Sequence, residues 1–256
     1  MSPRSCIGTS GFTYKHWAGG VFYPEGLPQR EWLEFYSSKF DTVELNVTFY
    51  RLPTVSAFDS WHRRTPKNFV FVLKGSRLIT HLHALQNCEE PLVTFYERAS
   101  RLGDKLKVIL WQLPPNLKIH LERLEKFVNL LQKKCHGPLH AFEFREASWL
   151  CPEVFDLIRQ AGMTVCCADW PFSEEDLPDD FPYIYVRRHG TTALYRGNYS
   201  DAQLRTDARH IRKWLKAGRD VFVYFNNDIG GYAAQNALTL KKLVVWKSGA
   251  AGAKVK

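Results

Sequence analysis

The sequence has no apolar run long enough to span a bilayer, which takes about 20 consecutive residues. Its first residues, MSPRSCIGTSG, carry no apolar block of a signal peptide. A cytoplasmic protein with no membrane partner is therefore expected. No C-x-x-C occurs. The cysteines Cys6, Cys88, Cys135, Cys151, Cys166 and Cys167 are scattered without a framework, so reduced thiols are expected rather than disulfides or a cysteine zinc site. H-E-x-x-H, G-x-S-x-G and the P-loop are all missing, which removes the usual signatures of zinc peptidases, serine hydrolases and P-loop enzymes. No G-x-G-x-x-G follows the first strand-like run, which counts against a dinucleotide-binding open sheet. No linker or break in composition divides the chain.

What is present is ample for one core. The 256 residues are 45% hydrophobic and 14% aromatic, within the range of a single large domain. The formal net charge is +9, with a pI near 9.2. That suits an anionic partner, either nucleic acid or a phosphorylated small molecule, although a solvated basic surface explains it equally well. The richest basic stretches are Arg205–Lys216, on a helix, and the tail from Lys247 to Lys256. The tail, KSGAAGAKVK, is small and polar and is expected to be disordered beyond a domain over 1–246.

Strand-like and helix-like runs alternate along the chain. Strands are predicted over 6–11, 42–46, 69–75, 108–113, 139–149, 164–169, 183–189 and 220–227. Helical spacing of apolar residues marks 29–40, 55–64, 91–102, 121–134, 152–160, 201–217 and 230–244. Thr54 and Ser200 stand where N-caps belong. After the sixth strand an acidic, proline-containing loop from Trp170 to Phe181 replaces a helix. Eight strands, each followed by a helix or its replacement, in about 250 residues, are the pattern of a (β/α)8 TIM barrel. A doubly wound open sheet is the alternative.

The stretch LHAFEFREASW, from Leu139 to Trp149, shows where chemistry would gather. Phe142 and Phe144 fall on one side of a strand and Glu143 and Arg145 on the other. In a sheet covered by helices, that charged pair must point into a shared interior and find partners there. Other strands end in the same way: Glu44 and Asn46, Lys74, Gln112, Asp169, Arg187 and His189, Asn226 and Asn227. In a TIM barrel the active site lies at that face.

The pieces IGTSGF, VELNVTFYRLP, FVFVLKG with ITH, ILWQLPP, FEFREASW, YVRRHG with Tyr195, and VYFNN followed by GYAAQNAL resemble the YecE-like family, a domain of unknown function. The resemblance runs from Cys6 to about Leu243, and the TFYRLP and YFNN blocks are its most specific parts. Phe12 stands where the family more often has tryptophan. The resemblance implies a TIM barrel and brings no established activity or catalytic residue.

Glu143, His189, Asp169 and Glu44 are the candidates for moving protons. Lys74, Arg145, Arg187, Gln112, Asn46, Asn226 and Asn227 are the candidates for holding substrate. Tyr50, Trp149 and Tyr195, with Tyr14, Trp17, Phe49 and Trp170, are candidate pocket walls. Lys74 is also a possible Schiff-base lysine. The cations in this ring offset its carboxylates, so no bound metal or other cofactor is expected. Gly230-Gly231, opening the last helix beside Arg187 and His189, suggests a phosphate site between strands seven and eight; a simple turn is the equal alternative. The expected function is an enzyme acting on a small anionic, phosphate-containing substrate, by phosphoester cleavage or sugar-type isomerisation. The competing expectation is a non-catalytic nucleic-acid-binding protein.

Overall fold

Side chains alternate across each strand, so a parallel sheet covered by helices needs two apolar layers, and both are present. In the computed structural model, which describes residues 3–169, 180–192 and 194–245, the strands are β1 Ser5–Thr9, β2 Thr42–Leu45, β3 Val70–Lys74, β4 Leu106–Gln112, β5 Leu139–Glu143, β6 Thr164–Ala168, β7 Ile184–Arg188 and β8 Val221–Phe225. All neighbours pair in parallel, in the order β1-β8-β7-β6-β5-β4-β3-β2. The outer layer includes Ile7, Val43, Phe71, Ile109, Phe142 and Val223. The inner layer fills the barrel with Val72, Leu110, Ala141, Tyr185, Phe222 and Tyr224. Each fully buried side chain of this size contributes about 1.5–3 kcal/mol.

The covering helices are α1 Trp32–Lys39, α2 Val47–Tyr50, α3 Val55–Arg63, α4 Glu89–Ala99, α5 Leu121–Lys134, α6 Pro152–Gln160, α7 Asp201–Lys216 and α8 Tyr232–Val245. The expected caps form. Thr54 accepts the Ala57 N–H, and Ser200 makes a reciprocal capping box with Gln203. Several bounds differ from the sequence reading. A 3-10 turn at Gln29–Glu31 precedes α1, and a π turn at Leu78–Leu82 occupies the expected loop after β3. The fifth strand stops at Glu143, and Ala147–Trp149 is a separate turn. The four-residue α2 is too short to show a period. The acidic loop from Trp170 to 179 and the tail over 247–256 lie outside the described residues.

The barrel closes between β1 and β2 with a single parallel bridge, Ser10 to Glu44. Two features hold this seam. Gly8 has no side chain, and a Cβ there would sit 2.5 Å from the Thr42 carbonyl oxygen. The buried Tyr36 hydroxyl stands in for missing ladder bonds: it accepts the Thr9 N–H at 3.1 Å and donates to the Thr42 carbonyl at 3.1 Å. Tyr36→Phe leaves both groups unpaired in a dry interior. It is expected to cost about 1–3 kcal/mol in denaturant unfolding. A change below about 0.5 kcal/mol, the ordinary scatter of neutral substitutions, would show that the seam holds without it.

Candidate functional site

At the carboxyl ends of the strands, the inward-facing charges form one network. Arg187, completely buried on β7, joins two strands: its Nη2 donates to Glu44 Oε1 at 2.8 Å and its Nη1 to Glu143 Oε2 at 2.6 Å. Its Nε has no partner among the described residues. Tyr185 donates its hydroxyl to the other Glu44 oxygen. Arg145 binds Glu143 Oε1 through Nε at 2.7 Å and Nη2 at 2.6 Å. His189 Nε2 lies 3.2 Å from the same oxygen, and the Asn226 amide nitrogen lies 3.3 Å from His189 Nδ1. Arg145 Nη2 lies 3.3 Å from the same His189 Nε2, so the imidazole is wedged between the guanidinium, the carboxylate and the Asn226 amide.

These contacts set the charges. Burial pushes Glu143 up, but Arg187, Arg145 and His189 outweigh it and hold the carboxyl well below its usual range. Burial lowers His189, and the hydrogen-bonded Glu143 offsets only part of this, so the imidazole is neutral at neutral pH. Glu44 and Glu143 share a guanidinium, so the place between them is already filled by a cation. Among the described residues no three His, Cys, Asp or Glu side chains come together to hold a metal ion. Burial pushes the Cys6 thiol up to about 12 and Cys166 well above its ordinary value, which disfavours the thiolate at these two positions.

Beside this network a cleft of about 540 Å³ opens over β8, β1, β2 and β3. Tyr14, Asn46, Tyr50, Tyr195, Asn226 and Asp228 line it, with Lys74 at the end of β3. Thr48, in α2, donates to the Lys74 carbonyl at 2.6 Å and pins the strand end. The Lys74 side chain is 8% exposed, and its Nζ lies 4.1 Å from the centroid of the Phe49 ring. Among the described residues no carboxylate pairs with it. Burial, with Arg187 adding to it, pushes the amine down to about 7, against partial support from Glu143 and Glu44. Asn46 donates to the Ser10 carbonyl at 3.2 Å, while its Oδ1 is buried and unpartnered among the described residues. Asp228 is raised by burial, and His16 Nε2 stands 3.3 Å from its carboxylate. Asn226 lines the cleft and touches His189, so it links the cleft to the ion network.

The profile of the family described as "Protein of unknown function DUF72" matches residues 6–255. The chain belongs to the DUF72 family. The UPF0759 protein YunF of Bacillus subtilis is 26% identical over 255 residues, covering 87% of this chain and 89% of YunF. The UPF0759 protein YecE of Escherichia coli is 34% identical over 82 residues, which is 32% of this chain and 30% of YecE. A crystal structure of a DUF72 family protein from Thermotoga maritima superposes with a TM-score of 0.80 at 28% identity, over 94% of this chain and 99% of that one. The D-psicose 3-epimerase of Clostridium cellulolyticum, with a TM-score of 0.52 at 10% identity over 93% and 95% of the two chains, shares the barrel fold.

In this DUF72 barrel the sequence-predicted residues fall into three groups. Glu44, Glu143, Arg145, Arg187 and His189 form the network; Gln112 adjoins it, paired in register with Glu143 and donating to the Leu113 carbonyl at 2.8 Å. Lys74, Asn46, Tyr50, Tyr195 and Asn226 face the cleft. Tyr14 lines the cleft as well, whereas Asp169, Asn227, Trp149 and Trp17 are not part of its lining. Asp169 accepts the His189 N–H at 2.8 Å and the Tyr199 hydroxyl, tying the loops after β6 and β7. Asn227 donates to Gly197 and Asn236. Trp149 is fully buried; it stacks on Phe144 at 5.1 Å and donates its indole N–H to the Leu117 carbonyl. Trp17 is buried likewise, and Trp170 lies outside the described residues.

The expected phosphate site between β7 and β8 is revised. Both Arg187 Nη atoms are taken by carboxylates and its side chain has no exposure. The Gly231 N–H donates to the Asp228 carbonyl at 3.0 Å, and a Cβ at Gly231 would meet Val21 at 2.4 Å. Gly230-Gly231 is a packed turn. Arg188 faces outward, as the alternation requires, and holds Asp207 at 3.0 and 2.6 Å. Asp228 is the DUF72 cleft residue that the sequence reading missed. Standing before Gly230-Gly231, it reads as part of a turn, and its raised carboxyl is visible only in three dimensions.

Proposed function

We propose that this protein is an enzyme that binds a small anionic substrate in the cleft beside Lys74 and acts on it by acid–base chemistry. The observation that carries this reading is the Lys74 amine, which is buried with no carboxylate paired to it among the described residues. A buried ammonium without a counter-charge is costly, and an anion in the cleft supplies that charge. Lys74 and Asp228 line one cleft with ordinary proton affinities pushed toward each other, the arrangement of an acid–base pair. Asn46 Oδ1 is an acceptor suited to a substrate hydroxyl. Proton transfer of the isomerisation type fits these groups better than phosphoester cleavage, because the cleft presents one amine and amides while the guanidiniums are committed to carboxylates. Nucleic-acid binding has a separate footing, a groove of about 440 Å³ lined by Arg205, Arg209 and Arg212 between α7 and α8. One of these, Arg212, is held by the Leu243 carbonyl at 2.8 Å.

A panel of phosphosugars and short oligonucleotides, read by thermal shift, tests the reading. A phosphosugar at about 100 times its dissociation constant stabilises by about 2.7 kcal/mol, which is roughly 5–10 °C for a chain of this size. Lys74→Met is expected to abolish that shift. The sign of the pH dependence follows from the amine. The anion binds the protonated form, so affinity is fullest below about pH 7 and falls about tenfold per pH unit above it. A shift that survives in Lys74→Met, or that oligonucleotides alone produce, would point to the basic surface instead.

A further inference from the structure

Among the described residues two lysines are buried, Lys74 and Lys105, and they differ in kind. Lys105 Nζ donates to the His62 carbonyl at 2.5 Å, to the Thr65 carbonyl at 2.8 Å and to Thr65 Oγ1 at 3.1 Å. Its protons are all engaged, and its role is to tie α3 to the start of β4. Lys74 sits at the mouth of the barrel with the Phe49 ring beneath it and no hydrogen-bond acceptor among the described residues. An amine is a nucleophile only when its lone pair is free and substrate can reach it. Lys74 meets both conditions, since it lines a cleft large enough for a small metabolite.

We propose that Lys74 forms an imine with the carbonyl carbon of a small anionic hydroxy-aldehyde or hydroxy-ketone held in this cleft. The inference rests on the reading that the cleft beside Lys74 is the reaction site, and it names the substrate class. The neutral Nζ attacks the carbonyl carbon. A C–N bond forms, the π electrons pass to oxygen, and oxygen gains a proton as nitrogen loses one. The C–O bond of this carbinolamine then breaks, with a second proton delivered to the departing oxygen. Water leaves, and the nitrogen lone pair closes the C=N bond as an iminium. Amine, carbonyl and one proton thus become iminium and water. Asp228 lines the same cleft, with His16 at 3.3 Å, and is the acid placed to deliver that proton. An iminium stands where the ammonium stood, so the substrate anion neutralises the same charge before and after the step. Asn46 Oδ1 takes the substrate hydroxyl.

The charged groups around Lys74 keep the amine available near neutrality. Arg187 and Arg145 oppose its protonation, and Glu143 and Glu44 favour it, with burial the largest influence. His81, which stands edge-on to the same Phe49 ring at 4.9 Å, is itself lowered to about 4 by burial and adds no charge at neutral pH.

The test uses the full chain with D-glyceraldehyde 3-phosphate and sodium cyanoborohydride at about pH 7, followed by peptide mapping. About half of the Lys74 amine is neutral there, against roughly one part in three thousand for an ordinary lysine. The reduced adduct is expected on Lys74 at least about tenfold faster than on an exposed lysine such as Lys67, and Lys74→Arg should leave only the slow background. Labelling of Lys74 no faster than of Lys67 overturns the proposal, and it is read on the wild-type protein, so a poorly folded variant cannot obscure it. Glycerol 3-phosphate, which has no carbonyl, separates the two readings. If it protects the melting temperature through Lys74 while the aldehyde leaves no adduct, the anion site stands and the imine falls. If it gives no Lys74-dependent protection and no adduct forms, both fall.

Discussion

Lys74→Met is expected to make the protein more stable, raising its melting temperature at pH 7 by roughly 10 °C. The wild-type amine is pushed down from 10.5 to about 7 on folding. At 1.36 kcal/mol per pK unit, this burial costs on the order of 5 kcal/mol. Methionine fills a similar unbranched volume without a charge to desolvate. The sign with pH follows from the lowered folded value. The penalty is full below about pH 7, where both folded and unfolded chains are protonated. It fades as pH rises from about 7 towards 10.5, where neither is. The gap between variant and wild type should therefore be widest at or below neutrality and nearly closed at about pH 10. Melting curves across that range check it. A variant less stable than wild type at pH 7 would mean that Lys74 has a counter-charge and belongs to the structural network.

How much of this was legible in the sequence depends on whether a feature is periodic or spatial. The alternation from His140 to Arg145 has a period of two, and it correctly turned Glu143 and Arg145 into the barrel and Phe142 and Phe144 towards the helices. Thr54 and Ser200 were legible as caps because capping is a local chemistry of three or four residues. Trp149 was misplaced because its position depends on where β5 ends. Glu146 accepts the Ser148 N–H at 3.0 Å and starts a turn that folds the indole back onto Phe144. Arg187 reads from the sequence as an inward-facing residue at a strand end, but its two carboxylate partners lie 143 and 44 residues away in sequence. No spacing rule shows that its guanidinium is spent on them. The opposite held for Lys74. That no described carboxylate pairs with it is a fact about distances from the other strands, and only the closed barrel shows it.

Glu143→Gln is expected to destabilise the protein by about 3–5 kcal/mol, the usual cost of removing one member of a buried ionic group. Both carboxylate oxygens are committed: Oε1 to Arg145 and His189, Oε2 to Arg187. A glutamine keeps the shape, but its amide nitrogen must face a donor, and Arg187 is left to Glu44 alone. The melting temperature should fall by roughly 10 °C at pH 7. The folded carboxyl is held well below its ordinary value, so its contribution is complete above about pH 4.5 and is lost only as pH falls through the depressed folded value. The difference between wild type and variant should thus stay level from about pH 8 to 5 and narrow only in stronger acid. Replacing the pair together, Glu143→Leu with Arg187→Met, should cost less than the two single changes added, because neither of these two charges is then left facing the gap where the other stood and their shared bond is lost only once. Additive losses would show that the network is not one unit. Glu143 also supports the charged form of Lys74. In Glu143→Gln, therefore, the pH at which phosphosugar binding fades should move down from its wild-type midpoint near 7. An unchanged midpoint would mean that the ion network and the cleft do not share an electrostatic field.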